Sequence, residues 1–397
     1  MKSETIKTNP SLSGLRVLDL TRVWAGPLAT RIYGDYGSDI IKISDPRVPL
    51  VTSNGLNSKL NRNKKNIGLR LDRPQGREIF LELTAISDVI IENFRPRVMR
   101  NLEITYESLS KINPYIIMCS MPGFGLEGPY SEYPAFGTTA EALAGIPALI
   151  GYDHSLPIST GLAYGDPVSG LNAVGVILAA IRQRNMTGTG QFIDIALAAS
   201  PACNLGEFFA AYSSNGYQAD IRGNKSIHYC PNGAYKTSGN DEWIALSVTD
   251  DHSWKHLQDI VDDPVLKSEK YSTFQKRKEN ESTIDKHLSN WFASKNARKL
   301  MFRLQEAGIT AGMVSNNRQL LLDPHLNDRD FFVDMDEPLF GVKRYDGQSI
   351  RGNFKNKDNW ETTRNVGENS QEILMELLGY TNEDCERLEK EEIVLFQ

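Results

Sequence analysis

The chain has 397 residues, 40% hydrophobic and 24% charged, with a formal net charge of −6 and four cysteines. Such a length exceeds one core and, at roughly 150 residues per domain, suggests two or three units, while the mild acidity gives no overall attraction to nucleic acid or to an anionic membrane. Cys119, Cys203, Cys230 and Cys385 lie far apart without paired spacing, so neither a disulfide framework nor a zinc site is predicted.

Residues 1–13 are polar and have neither the apolar stretch of a secretory signal nor the character of a transit peptide, and no run is long and apolar enough to span a bilayer. A cytoplasmic protein is expected. From there the first two hundred residues alternate β-rich and helical runs, the pattern of a parallel sheet with crossover helices. Residues 15–20 read as strand, 27–36 as helix, 39–43 and 67–71 as strands, 74–85 as helix, 88–91 as strand, 106–112 as helix and 115–120 as strand. In such a sheet ligands bind beyond the carboxyl ends of the strands, which singles out the loops 21–26, 92–97 and 121–137.

Further on, Gly165-Asp166-Pro167 precedes Leu171, Val174, Ile177, Leu178 and Ile181, apolar positions at helical spacing. This predicts a helix with Asp166 at its N-cap and Pro167 in its first position, where the dipole favours an ionised carboxylate. A good cap is one reading of Asp166; an anionic nucleophile is the other. Residues 187–191 form a glycine-containing turn into a strand at 192–196. The predicted organisation is an α/β, Rossmann-like large domain beginning at 1–214, a linker at 215–228, a smaller α+β domain at 229–325 with a hairpin across 234–248, and a return segment at 326–397 packing on the large domain.

The turn after the first strand, Thr21-Arg22-Val23-Trp24-Ala25-Gly26-Pro27, lacks a dinucleotide glycine fingerprint, and no P-loop lysine motif or Gly-x-Ser-x-Gly elbow occurs. His252 and His256, four apart, lack the glutamate and third ligand of a metal site. Basic residues gather near the predicted sheet edge: Asn61-Arg62-Asn63-Lys64-Lys65, then Arg95, Arg97 and Arg100, with Lys42 and Arg47 beside the second strand. Each group alone fits a solvated face; together they favour a phosphate or another polyanion.

Several of these segments, in order, resemble the family III CoA-transferases (the CaiB/BaiF, formyl-CoA transferase-like superfamily): Ser13-Gly14-Leu15-Arg16-Val17-Leu18-Asp19-Leu20 with Ala25-Gly26-Pro27; Asn61 to Lys65; Asp88-Val89-Ile90-Ile91-Glu92-Asn93-Phe94-Arg95-Pro96; Ile112-Asn113-Pro114; Gly123-Phe124-Gly125 with Gly128-Pro129-Tyr130; and Gly165-Asp166-Pro167. The resemblance implies an enzyme that moves CoA from an acyl-CoA to a free carboxylic acid through an anhydride and then a CoA thioester on Asp166, with coenzyme A as substrate and no tightly bound cofactor or metal. It implies CoA contacts at Trp24, Ala25, Arg47, Leu69, Arg70, Asn93, Phe94, Arg95, Arg100 and the loop Pro134-Ala135-Phe136-Gly137. It also implies an interlocked homodimer.

The chain departs from the superfamily pattern in places. Racemases of 2-methylacyl-CoA carry Gly-His-Asp where Ala135-Phe136-Gly137 stands, and Phe136 cannot shuttle a proton, which weighs against racemisation or an intramolecular acyl-CoA isomerisation. Some transferases carry a supporting glutamate at the position of Gly137; here the nearest is Glu141, one helical turn later. Lys42-Ile43-Ser44 replaces Lys-Ile-Glu, and His228-Tyr229-Cys230-Pro231-Asn232-Gly233 replaces a glycine-rich flap, which argues against oxalate. A CoA-binding protein without catalysis is the third reading, disfavoured by the intact Asp166.

Overall fold

The computed structural model describes residues 10–48, 55–152, 156–337, 340–350 and 360–397; the polar stretch read as leaderless falls largely before Pro10 and so outside them. The chain divides into two compact units, one of Met1–Pro147, Ser159–Gln218 and Asp328–Gln397, the other of Ala148–Ile158 and Ala219–Asn327.

The first unit is built on a seven-stranded sheet. Its strands are β1 (Arg16–Asp19), β2 (Asp39–Ser44), β3 (Lys65–Leu69), β4 (Val89–Glu92), β5 (Ile117–Ser120) and β6 (Gln191–Asp194), all mutually parallel. They are rich in valine and isoleucine because helices cover both faces of the sheet, leaving no solvated side on which to alternate polar residues. Leu18, Ile41, Ile67 and Ile90 pack with Phe80 on one face, and Val17, Ile40, Val89 and Ile91 pack with Tyr33 and Ile177 on the other.

In the second unit β7 (Asn232–Lys236), β8 (Trp243–Ser247) and β9 (Thr310–Met313) form an antiparallel sheet. Trp254, Leu257, Ile284, Leu288 and Phe292 supply its core from helices Asp251–Val261 and Glu281–Phe292. Back in the first unit, β10 (Phe332–Glu337) and β11 (Gly341–Asp346) make a two-stranded ribbon. Finally β12 (Val394–Leu395) pairs antiparallel with β3, giving the order β12-β3-β2-β1-β4-β5-β6.

The strand order reverses between β1 and β4, so a crevice opens there at the carboxyl ends of the strands. Helix Ala25–Asp35, which follows β1, lies against helix Gly165–Thr187. Gly170 permits this approach, because a Cβ there would come within 2.6 Å of the Ala25 carbonyl oxygen, and the Tyr33 hydroxyl donates across the contact to Val174 O at 2.9 Å.

The basic run before β3 is not a ligand-facing surface. Arg62 is fully buried, bonds Asp35 at 2.7 Å and lies 3.9 Å from the Trp360 ring, while Lys64 Nζ donates to Asp19 at 2.9 Å inside the unit. Lys42 is likewise buried. Cations that look alike in sequence are drawn inside here by the carboxylates Asp19 and Asp35, which no local pattern announces.

Candidate active site at the sheet switch point

Asp166 is the second residue of helix Gly165–Thr187, with Tyr164 as the N-cap, so the sequence-based placement of the carboxylate at the cap itself is off by two positions. The reason lies in the preceding turn. Ala163 adopts a left-handed φ of 47°, and its carbonyl accepts from Asp166 N–H at 2.8 Å. Glu141, fully buried, fixes that turn: its carboxylate accepts from Thr160 N–H (2.7 Å), the Thr160 hydroxyl (2.8 Å) and Tyr164 N–H (2.9 Å). Among the described residues the Glu141 hydrogen bonds all serve the Thr160–Tyr164 turn, which sets where the helix begins.

The Asp166 side chain meets two other segments. Its Oδ1 accepts from Ala25 N–H at 3.3 Å. Ala25 opens helix Ala25–Asp35, and Trp24, its N-cap, offers no side-chain bond, so Asp166 satisfies a donor the helix leaves open. On the other side, a Cβ added to Gly137 would fall 1.7 Å from Asp166 Oδ2, which means that only glycine lets this backbone lie against the carboxylate.

Two helix starts favour the ionised form, yet burial outweighs them. Desolvation pushes the Asp166 carboxyl up from 3.8 to about 6, with the Ala25 hydrogen bond pulling the other way. The expected direction, a cap-stabilised low pKa, is thus reversed, although the acid stays about ten-to-one ionised at pH 7. A partly desolvated carboxylate beside a backbone N–H is a stronger nucleophile than a hydrated one and has a donor in place for a developing oxyanion.

The loop after β1 is held from several sides. Thr21 N–H and its hydroxyl donate to Asp19 at 2.8 and 2.5 Å, and Lys42 Nζ donates to Thr21 O at 2.8 Å. Asn93, at the end of β4, spans the switch point by accepting from Arg22 N–H and donating to Arg22 O, both at 2.8 Å. Phe94 N–H donates to Glu92 Oε2 at 2.7 Å. Glu92 is almost fully buried, and desolvation raises its carboxyl to about 7 against hydrogen bonds from Ser120 and Phe94 N–H. In the sequence Glu92 stands only as the first residue of the loop 92–97, with no role of its own.

Of the residues singled out in sequence, the structure brings Ala25 and Gly137 to Asp166 and puts Trp24, Asn93, Phe94 and Arg95 on the two loops flanking the switch point. Phe136 is 66% exposed just before Gly137, Pro134 is exposed, and Ala135 packs so closely on Gly123 that a Cβ there would come within 2.3 Å of its own. Arg47 and Arg70 meet at Asp72, Arg47 also binding Asp45 at 2.7 Å, and Arg100 is paired with Glu132. Leu69 points into the sheet core, and its backbone pairs with Val394. Away from this site, His256 Nδ1 lies 2.7 Å from the Ala307 carbonyl oxygen, and no group of three or more His, Cys, Asp or Glu side chains is arranged for a metal among the described residues.

The model of CoA-transferase family III matches residues 12–362. The chain belongs to that family. This family III chain is 30% identical over 380 residues to human succinyl-CoA:glutarate CoA-transferase, covering 93% of the chain and 86% of the relative. It is 27% identical over 395 residues to succinyl-CoA–D-citramalate CoA-transferase of Chloroflexus aurantiacus, covering 96% and 98%. A crystal structure of a CaiB/BaiF family protein from Brucella suis superposes with a TM-score of 0.85 at 27% identity, covering 93% of this chain and all of that one. The family III chain is accordingly an enzyme that moves CoA from an acyl-CoA to a carboxylic acid, with CoA as co-substrate, on a mixed α/β fold with a mostly parallel central sheet. Among the described residues no helix is long and apolar enough to cross a membrane.

Proposed function

We propose that the chain moves CoA from succinyl-CoA to a second dicarboxylic acid, with Asp166 as the nucleophile. The donor follows from what the curated relatives are named for. The observation that carries the assignment of Asp166 is its burial between Ala25 N–H and the Gly137 backbone.

In the first step an Asp166 oxygen attacks the thioester carbon, the C–S bond breaks, and CoA thiolate leaves a mixed anhydride. The thiolate then attacks the aspartyl carbon, expelling the donor acid as carboxylate and leaving an aspartyl-CoA thioester. The acceptor carboxylate displaces CoA thiolate from that thioester, forming a second anhydride. Attack of the thiolate on the acceptor's acyl carbon gives the new acyl-CoA and restores the Asp166 carboxylate. No step needs a net proton or a metal, and Ala25 N–H stabilises the charge that develops at the aspartyl oxygen.

In this reading CoA runs along Trp24, Ala25, Asn93, Phe94, Arg95 and the loop Pro134-Ala135-Phe136-Gly137. Arg47, Arg70 and Arg100 act on its phosphates only by giving up Asp45, Asp72 and Glu132 as partners. The working form is an interlocked homodimer in the cytoplasm. The return segment from residue 326 belongs to the large domain, a reading supported by the pairing of β12 with β3. Racemisation is the lesser reading, since Phe136 offers no acid or base.

The test is mass spectrometry of the chain with succinyl-CoA, with and without a panel of dicarboxylic acids. A CoA adduct on Asp166 and new CoA esters are expected, both absent in Asp166→Asn. Normal turnover by that variant would refute the assignment.

A further inference from the structure

Arg22 is exposed on the loop between β1 and helix Ala25–Asp35, three residues before the Ala25 N–H that meets Asp166. Its backbone is fixed at both ends by the Asn93 amide, and the carbonyl of the residue before it is held by the buried Lys42. The next residue, Val23, has φ 68°, a left-handed conformation that a β-branched side chain adopts only at a cost in strain, and Val23 is itself 62% exposed, so no packing of its side chain accounts for it. Strain held in place by this many side-chain bonds marks a loop whose shape matters for what it presents.

What it presents is a guanidinium with no carboxylate in ion-pair range among the described residues. The guanidinium lies over the face of Phe94, 5.5 Å from the ring centroid, which steadies the side chain without neutralising it. Arg47, Arg70 and Arg100 differ in this respect, each being paired with a carboxylate. Asp45, close enough to feel the charge of Arg22, is already gripped by Arg47, whose hydrogen bond is the main cause of its lowered pKa. A planar, permanently charged fork left open on the loop that carries Trp24 and Ala25 suits an oxyanion that arrives with the substrate.

We infer that Arg22 is a substrate-binding residue that pairs with an oxyanion of the acyl-CoA, either the distal carboxylate of a dicarboxylic acyl group or a phosphate of CoA. The inference rests on the proposed transferase reading but has its own test. Titration calorimetry of wild type, Arg22→Met and Arg22→Lys with succinyl-CoA, butyryl-CoA and free CoA, together with their melting temperatures, separates the outcomes. The expected result is weakening by Arg22→Met of 10- to 100-fold, with Arg22→Lys in between. Loss confined to succinyl-CoA assigns the carboxylate. Equal loss for all three ligands at an unchanged melting temperature assigns the phosphate. No loss with any ligand, or equal loss accompanied by a lowered melting temperature, overturns the inference. Exchange activity retained by Asp166→Asn would instead strike the assignment of Asp166 as nucleophile and leave these affinities to stand by themselves.

Discussion

Replacing Gly137 by alanine is the sharpest probe of the arrangement around Asp166. The new methyl carbon would fall 1.7 Å from Asp166 Oδ2 and 2.6 Å from the Ala163 Cβ. Ordinary contact needs about 3.5 Å, so the carboxylate has to retreat by about 1.5 to 2 Å or the start of helix Gly137–Leu143 has to move by as much. Either displacement breaks a near-attack geometry, for which a misplacement of about 1 Å costs on the order of a hundredfold in rate. Overpacking of this kind also costs about 1–3 kcal/mol, against at most about 1 kcal/mol regained from alanine's higher helix propensity. Gly137→Ala should therefore lower kcat by a hundredfold or more while destabilising the fold only modestly, read by steady-state CoA exchange and by urea unfolding of the same preparation. A variant with wild-type kcat would show that the Gly137 backbone does not set the position of the reacting carboxylate.

Three further outcomes follow from charge burial. With Asp166 pushed up to about 6 from 3.8, the native chain binds more protons than the unfolded one between those values, so the contribution of Asp166 to stability falls as pH rises through that window and stays unfavourable above it. Asp166→Asn should raise the melting temperature at pH 7.5, by an amount equivalent to at most about 3 kcal/mol, with the gain gone below about pH 4. In the wild type, kcat/KM should drop about tenfold per pH unit below pH 6, and a flat acid limb would contradict the assignment. Separately, burial would raise Asp19, but Lys42, Lys64 and its hydrogen bonds hold it well below the usual carboxylate range; burial pulls Lys64 down to about 7 against the attraction of Asp19. Asp19→Asn removes the shared counter-ion of two interior lysines and should cost about 3–5 kcal/mol in urea unfolding at pH 7. A loss under 1 kcal/mol would mean that the lysines find other partners.

Much of the sheet was legible because parallel strands buried on both faces read as unbroken apolar runs, as in residues 89–91 and 116–119. Asp166 was legible because glycine, aspartate and proline punctuate a helix start in a recognisable way. Its environment was not. The Ala25 N–H that meets it is 141 residues away, and the amide of Asn93 reaches Arg22 across 71. No local period encodes such partners. The same distance effect misled the reading of the basic clusters, since Lys64 differs from an exposed lysine only by an aspartate 45 residues earlier. β12 escaped notice for another reason: two residues carry no periodicity, and only the open edge of β3 defines them as a strand.

That last strand has a bearing on how the protein is made. β3 emerges from the ribosome early, with one edge lacking the partner that residues 394–395 supply. Throughout synthesis of the intervening chain, the row of free N–H and C=O groups at Gly68 and Leu69 stays open to mispairing, the hazard that unprotected sheet edges carry. The second unit is nearly contiguous in sequence and can close its own core as it appears. The large sheet has to wait, so a nascent chain stalled short of residues 394–395 should engage chaperones far more than its overall hydrophobicity suggests.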